Sequence, residues 1–456
     1  MKIFKYKKII LLLSSILVFG IGVLSVKNEK IANFEPFITL NSYYISQDDT
    51  YYNANPLAIN NSAKYRKEIE KYQKQAKKCI SSNEVESERC VNNLMRDLSA
   101  KKGARVALDV IEPLAEAHPF LLSYSHDLSH TIGDFAVKYF EDNQGFSEGV
   151  VKPAEGFSEE ELKLIDSLGK ALVDCDGWGA FGCYHGVIEV GLGKLPAKDR
   201  TRVVQKACME NPAIQSKQYF INQCLHWFGH GMAIFTDQSL NETLAICDSL
   251  SPTFGSDEVQ LCLSGTFHAG SVPGTSDVDY LSNVNKLYNK DDVYFPCLEI
   301  PEKFVGQCFS HVPGRTGSQD TKVVFSNCEN IPEKDPKKKR NYIHRCYDSG
   351  ANLLLVNSNH DPKVVVESCQ RDAKKEFRKY CYGGAVRYSI LRDPLLSNTV
   401  PFEICKLAEV ENKSSCYIAL GAANNENYFD AKILIEFCQK GEAEYVEDCL
   451  KKDIPD

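Results

Sequence analysis

From Ser62 onward, apolar residues recur at three-and-four spacing through segments of ten to twenty residues, each broken by Gly, Pro, Asn or Asp. That spacing lines one face of a helix, and the two-residue alternation of a half-buried strand is nearly absent. The pattern predicts an all-α fold whose first helix is the charged amphipathic stretch Ser62 to Lys78. Residues 30–61, rich in Asn, Tyr, Ser and Asp, carry neither period and read as a flexible tether. Ahead of them, Ile9 to Val26 is an eighteen-residue run without a charge, preceded by Lys2, Lys5, Lys7 and Lys8. Basic residues before an apolar run mark an export segment whose charged end stays inside the cytoplasm. The run is long for a signal core and no Ala-x-Ala site follows it. Residues 1–29 are therefore expected to be an uncleaved membrane anchor, with the remainder facing the periplasm or cell exterior; cleavage would make the protein secreted.

The cysteines give the helices a period. All eighteen fall into sequential couples: 79 with 90, 175 with 183, 208 with 224, 247 with 262, 297 with 308, 328 with 346, 369 with 381, 405 with 416, and 438 with 449. In most couples the first closes a predicted helix and the second opens the next, so each couple is expected to staple a helical hairpin across its turn. Second cysteines recur every 33 to 46 residues, apart from a first gap of 93 residues between Cys90 and Cys183. Within that gap Tyr124-Ser125-His126-Asp127-Leu128-Ser129-His130 aligns with Cys224 to His230, which supplies a repeat without cysteines. Helix pairs at this period predict an α-solenoid or α/α toroid of about ten hairpins. Closing loops of this length stabilises by roughly 3 kcal/mol or somewhat less per bond in the chain-entropy account.

Numbering each second helix from its cysteine position exposes the candidate chemistry. Positions plus two and plus six share one helical face. Four consecutive repeats place His126 and His130, His185 and Glu189, His226 and His230, then Ser264 and His268 there. Later repeats place Ser310 and Gly314, Asp348 and Asn352, Gly383 and Arg387, and Ile418 and Ala422. Six of the ten histidines thus fall on one frame in four adjacent repeats, which core packing explains poorly. Adjacent helices lie about 8–10 Å apart, so imidazoles on neighbouring helices can converge on one ion. The candidate metal ligands are His126, His130, His185, Glu189, His226, His230 and His268, for one metal or a pair. Glu189 and Asp134 are candidate catalytic bases, Asp134 also as an acceptor that fixes a histidine tautomer. His118, His311, His344 and His360 fall outside the frame and read as core or capping residues, and Trp227 and Phe228 as core. Gly133, Gly186, Gly229, Gly231 and Gly265 read as sites of close helix approach.

A net charge of −8 with both signs mixed along the chain gives no reason to expect nucleic acid. Eighteen cysteines behind an export segment point to disulfides, which removes thiolate ligands and leaves an N/O site for zinc, copper or iron. The chain lacks Cys-x-x-Cys-His, His-Glu-x-x-His, Gly-x-Ser-x-Gly and phosphate-binding glycine loops, so it matches none of the enzymes those motifs mark.

Ser125 to Gly133, Cys183-Tyr184-His185-Gly186-Val187 and Cys224 to Met232 resemble motifs of a group of cysteine-rich exported bacterial proteins with the patterns His-x-x-x-His-x-x-Gly, Cys-Tyr-His-Gly and Cys-x-His-Gly-x-Gly-His. The resemblance covers roughly residues 100–290 and implies no reaction, because that group has no assigned activity; Ser125 stands where a cysteine often precedes the first histidine. The stapled hairpins are more loosely similar to the disulfide-bridged Sel1-like repeats of the Helicobacter cysteine-rich proteins.

The chain is thus expected to comprise an anchor (1–29), a tether (30–61), histidine-bearing repeats (62–290) and ligand-poor repeats (291–456). The leading functional expectation is a metal-dependent hydrolase or oxidase. The alternatives are a metal-binding protein without turnover, or an interaction scaffold that binds a protein partner on its concave face.

Overall fold

The computed structural model describes residues 63–118, 120–143, 156–175, 181–215, 218–236, 239–250, 256–269, 289, 291–358, 360–391, 399–428 and 431–451. All lie in one unit, Asn60–Asp456. The expected anchor and tether lie outside the described residues. Among the described residues there is no strand, and no helix is long and apolar enough to cross a membrane.

The helices pair as the cysteine period requires. In chain order they are α1 (Ala63–Ala76), α2 (Glu84–Lys102), α3 (Ala104–Ala117), α4 (Ser125–Asn143), α5 (Glu159–Asp174), α6 (Gly182–Gly193), α7 (Ala197–Glu210), α8 (Gln218–Phe235), α9 (Leu240–Ser249), α10 (Ser256–Ala269), α11 (Glu302–Phe309), α12 (Thr321–Glu329), α13 (Pro336–Asn357), α14 (Pro362–Asp372), α15 (Arg378–Leu391), α16 (Val400–Leu407), α17 (Val410–Tyr428), α18 (Ala431–Cys438) and α19 (Val446–Cys449). All nine predicted couples are disulfides, and no free cysteine remains. The cysteine-free repeat is the α3–α4 hairpin. One arm differs from expectation: Cys297 lies in a run of turns, because Pro296 and Pro301 remove donors that a helix would need.

Helix starts follow local chemistry. Ser158 and Glu161 form a capping box on α5, and Asp335 and Asp361 accept backbone N–H bonds ahead of Pro336 and Pro362 at the starts of α13 and α14. Leu, Ile, Val and Phe from both arms fill the interior, together with the disulfides. Second helices pack side by side in chain order from α2 through α19, and first helices such as α5 with α7 and α14 with α16 pack likewise. This layering is the all-α helical-repeat fold. A contact beyond nearest neighbours also occurs: α8 packs against α17, which returns a late repeat to the middle of the array.

Candidate metal centre

Among the histidine-bearing repeats, two pairs of second helices approach each other through glycine. A Cβ on Gly133 would stand 2.0 Å from the Cys183 carbonyl oxygen, and one on Gly186 2.2 Å from that of His130, so no larger residue allows α4 and α6 to lie this close. Gly229 and Gly265 do the same for α8 and α10, with would-be Cβ atoms 1.8 Å from the Cys262 carbonyl oxygen and 1.7 Å from that of His226. The expected ligand face of each helix is thereby held against its neighbour's.

Several neighbouring second helices share one inter-helix register, and α4–α6 departs from it by about one turn, so that there the two plus-six residues, His130 and Glu189, meet. In the shared register the plus-two side chain of one second helix meets the plus-six side chain of the next: the His185 and His230 rings lie 4.1 Å apart, and His226 Nε2 lies 3.1 Å from His268 Nδ1. The rule persists beyond the histidines, where Arg387 donates to Asp348 at 3.2 Å.

Across α4 and α6, His130 Nε2 lies 3.0 Å from Glu189 Oε2, and His185 Nε2 lies 2.6 Å from Glu189 Oε1. The second pair is close but out of hydrogen-bonding alignment, so His185 Nε2 and Glu189 Oε1 remain unsatisfied, as does His185 Nδ1. An unpaired buried polar group costs about 1–3 kcal/mol, and here such groups cluster. One ligand atom each from His130, His185 and Glu189 lies within 4.8 Å of the others. Asp134 Oδ2 stands 3.5 Å from His130 Nδ1, on the far side of that ring. His126 borders the trio, its ring 5.6 Å from His185 and 6.4 Å from His130.

The electrostatics divide the cluster. Burial works against a charged His130, but the carboxylates of Asp134 and Glu189 outweigh it and raise its pKa to about 10. Burial likewise opposes an ionised Glu189, yet the hydrogen bond with His130 and the close approach of the His185 imidazole hold it down at about 2. On α8 and α10, burial followed by neighbouring imidazoles lowers His226 and His230 well below the usual histidine value, and His268 to about 4. These rings are neutral at pH 7, the form in which imidazole binds metal.

Trp227 is 2 % exposed and stands among the imidazoles, stacked on His185 at 5.3 Å and 5.5 Å from His268. Its indole N–H donates to Gln223. His311 is the residue the frame missed. It extends the row, 6.1 Å from His268, with Nε2 at 3.3 Å from Ser264 Oγ. α11 ends at Phe309, and a one-turn helix beginning at Val312-Pro313 follows, so the register slips at His311. The Pro-Gly pair after Cys308 was the available signal. His344, also outside the frame, stacks on Tyr380 in the ligand-poor repeats.

No family model, curated protein or solved structure matches the chain.

Proposed function

We propose that this is an exported, membrane-tethered helical-repeat protein in which His130, His185 and Glu189 hold a divalent transition ion for hydrolytic chemistry. The observation that carries the reading is the convergence of these three ligand atoms from two helices, two of the residues keeping buried atoms without a hydrogen-bond partner. Two imidazoles and a carboxylate suit zinc, and also iron or copper. Structural zinc sites take four protein ligands, whereas three leave a position open for water. The His130 and Glu189 side chains are 26 % and 23 % exposed, which gives solvent a route to that position. An ion there acidifies a bound water. Asp134 orients His130 and accepts from its second nitrogen, and Glu189 serves as ligand and not as a free base. Nine disulfides fit an oxidising compartment, which supports export.

Cobalt(II) substitution tests the centre. One equivalent should bind per chain with a visible spectrum that azide perturbs by entering the open position, and His185→Ala should abolish it while leaving the helical circular dichroism intact. Occupancy below about a tenth of an equivalent after reconstitution would remove the centre, and a spectrum indifferent to azide would remove the hydrolytic reading.

A further inference from the structure

Arg315, 1 % exposed, ends the one-turn helix Val312–Arg315 and is the largest fully buried side chain among the described residues. Its Nη1 donates to Cys297 Sγ at 3.2 Å, to Cys308 Sγ at 3.4 Å and to the Cys308 carbonyl at 3.5 Å. Nε and Nη2 are buried without a hydrogen-bond partner. Burial pushes the guanidinium down to about 9, and Asp292 on the neighbouring turns opposes that without forming an ion pair with it. A buried cation therefore rests against a disulfide with no counter-anion, and sulfur is too weak an acceptor to offset the lost hydration.

A thiolate in place of either sulfur would supply the missing charge. Thiol–disulfide exchange creates one: an external thiolate attacks Cys297 Sγ, a mixed disulfide forms there, and the Cys297–Cys308 bond breaks with its electron pair on Cys308 Sγ. The departing sulfur is the one 3.4 Å from Arg315 Nη1, and stabilising a leaving thiolate both speeds exchange and favours the open form. The donor's second thiolate then releases Cys297, which takes up a proton, and the donor departs as its own disulfide. Two electrons thus pass from a dithiol to the protein.

The backbone around this bond also differs from that around the others. Eight of the nine first cysteines lie in a helix or directly after one, whereas Cys297 lies in turns closed by bonds such as Cys297 N–H to the Tyr294 carbonyl at 2.7 Å. Leu298 beside it is 57 % exposed, and Glu299 is exposed as well. Shifting this short segment uncovers Cys297 Sγ without unwinding a helix.

We infer that Cys297–Cys308 is an exchange site for an external dithiol, opened while the remaining disulfides stay closed, with Arg315 holding the Cys308 thiolate. The inference is independent of the metal reading.

The full-length protein, equilibrated anaerobically in graded mixtures of reduced and oxidised dithiothreitol, quenched in acid, alkylated with N-ethylmaleimide and mapped by mass spectrometry, tests it. Cys297 and Cys308 should reach half reduction at a reduced-to-oxidised ratio at least about ten-fold below that of any other couple, with the circular dichroism still helical. Reduction together with the other couples, or after them, would overturn the site. Arg315→Gln should erase the lead, and a folded variant that kept it would remove Arg315 from the account. A pH profile on the wild-type protein needs no variant: after selective opening, iodoacetamide alkylation of Cys308 should be half-maximal at least about one pH unit below the roughly 8.5 of an ordinary thiol. A midpoint at the ordinary value would overturn the pairing of thiolate with guanidinium.

Discussion

At the scale of residues, the centre is made by conflict between burial and charge. His130 keeps its proton because two carboxylates face it, whereas His268 is kept neutral by burial and by its fellow imidazoles. The metal-free protein should therefore lose stability in acid with a definite sign. Above pH 6.5 His268 is neutral in both folded and unfolded chains. As pH falls from 6.5 through about 4 the unfolded chain takes up a proton that the folded chain refuses, so folding loses up to ~3 kcal/mol from this group and nothing further below that range. Denaturation midpoints of chelator-treated protein at pH 7.5 and 4.5 measure the loss, and His268→Gln should shrink it. A midpoint unchanged between those pH values would contradict the burial of this imidazole.

At the scale of elements, the hairpin is a self-contained unit, and most of it could be read in the chain. Each disulfide joins cysteines 8 to 18 residues apart, so pairing required only that neighbouring helices turn back on one another. The plus-two and plus-six frame was legible for the same reason, since it depends on one helix at a time. The partnering across helices was not. His230 faces His185 while His226 faces His268, an assignment set by how far successive helices slide along each other. A second device recurs beside the staples: the tyrosine after the second cysteine bonds to a turn, its own for Tyr184 (to the Cys175 carbonyl) and Tyr347 (to Glu329), and the next hairpin's for Tyr382 (to Glu409) and Tyr417 (to Glu442). Removing one staple far from the histidines should accordingly be local. Cys369→Ser with Cys381→Ser, on α14 and α15 and so off the α17 helix that meets α8, should cost about 2–4 kcal/mol in urea unfolding with cobalt binding unchanged. Loss of cobalt binding in that variant would mean that the repeats are coupled more strongly than nearest-neighbour stacking allows.

At the scale of the whole molecule, the histidines occupy four consecutive hairpins and the first turn of a fifth, while the later repeats keep the same register with an Asp348–Arg387 ion pair in place of imidazoles. His311 escaped the sequence frame because Pro313 breaks the helix there, and the α8–α17 contact escaped it because no local period encodes a meeting of residues nearly two hundred positions apart. Export is a property of the entire chain and is tested as such. Expressed in a bacterium, the protein should be cut by protease added outside spheroplasts, and protection until lysis would place it in the cytoplasm.

Every disulfide closes a hairpin on itself, and none joins one hairpin to the next. The oxidised chain is thus a string of locked beads held in line by packing and by non-covalent polar contacts such as Arg387 with Asp348. An ion shared between α4 and α6 would be a removable clasp across that joint. Chelation would then loosen the string there while leaving each bead intact, and the array would re-form when the metal returned without any bond having to be reoxidised.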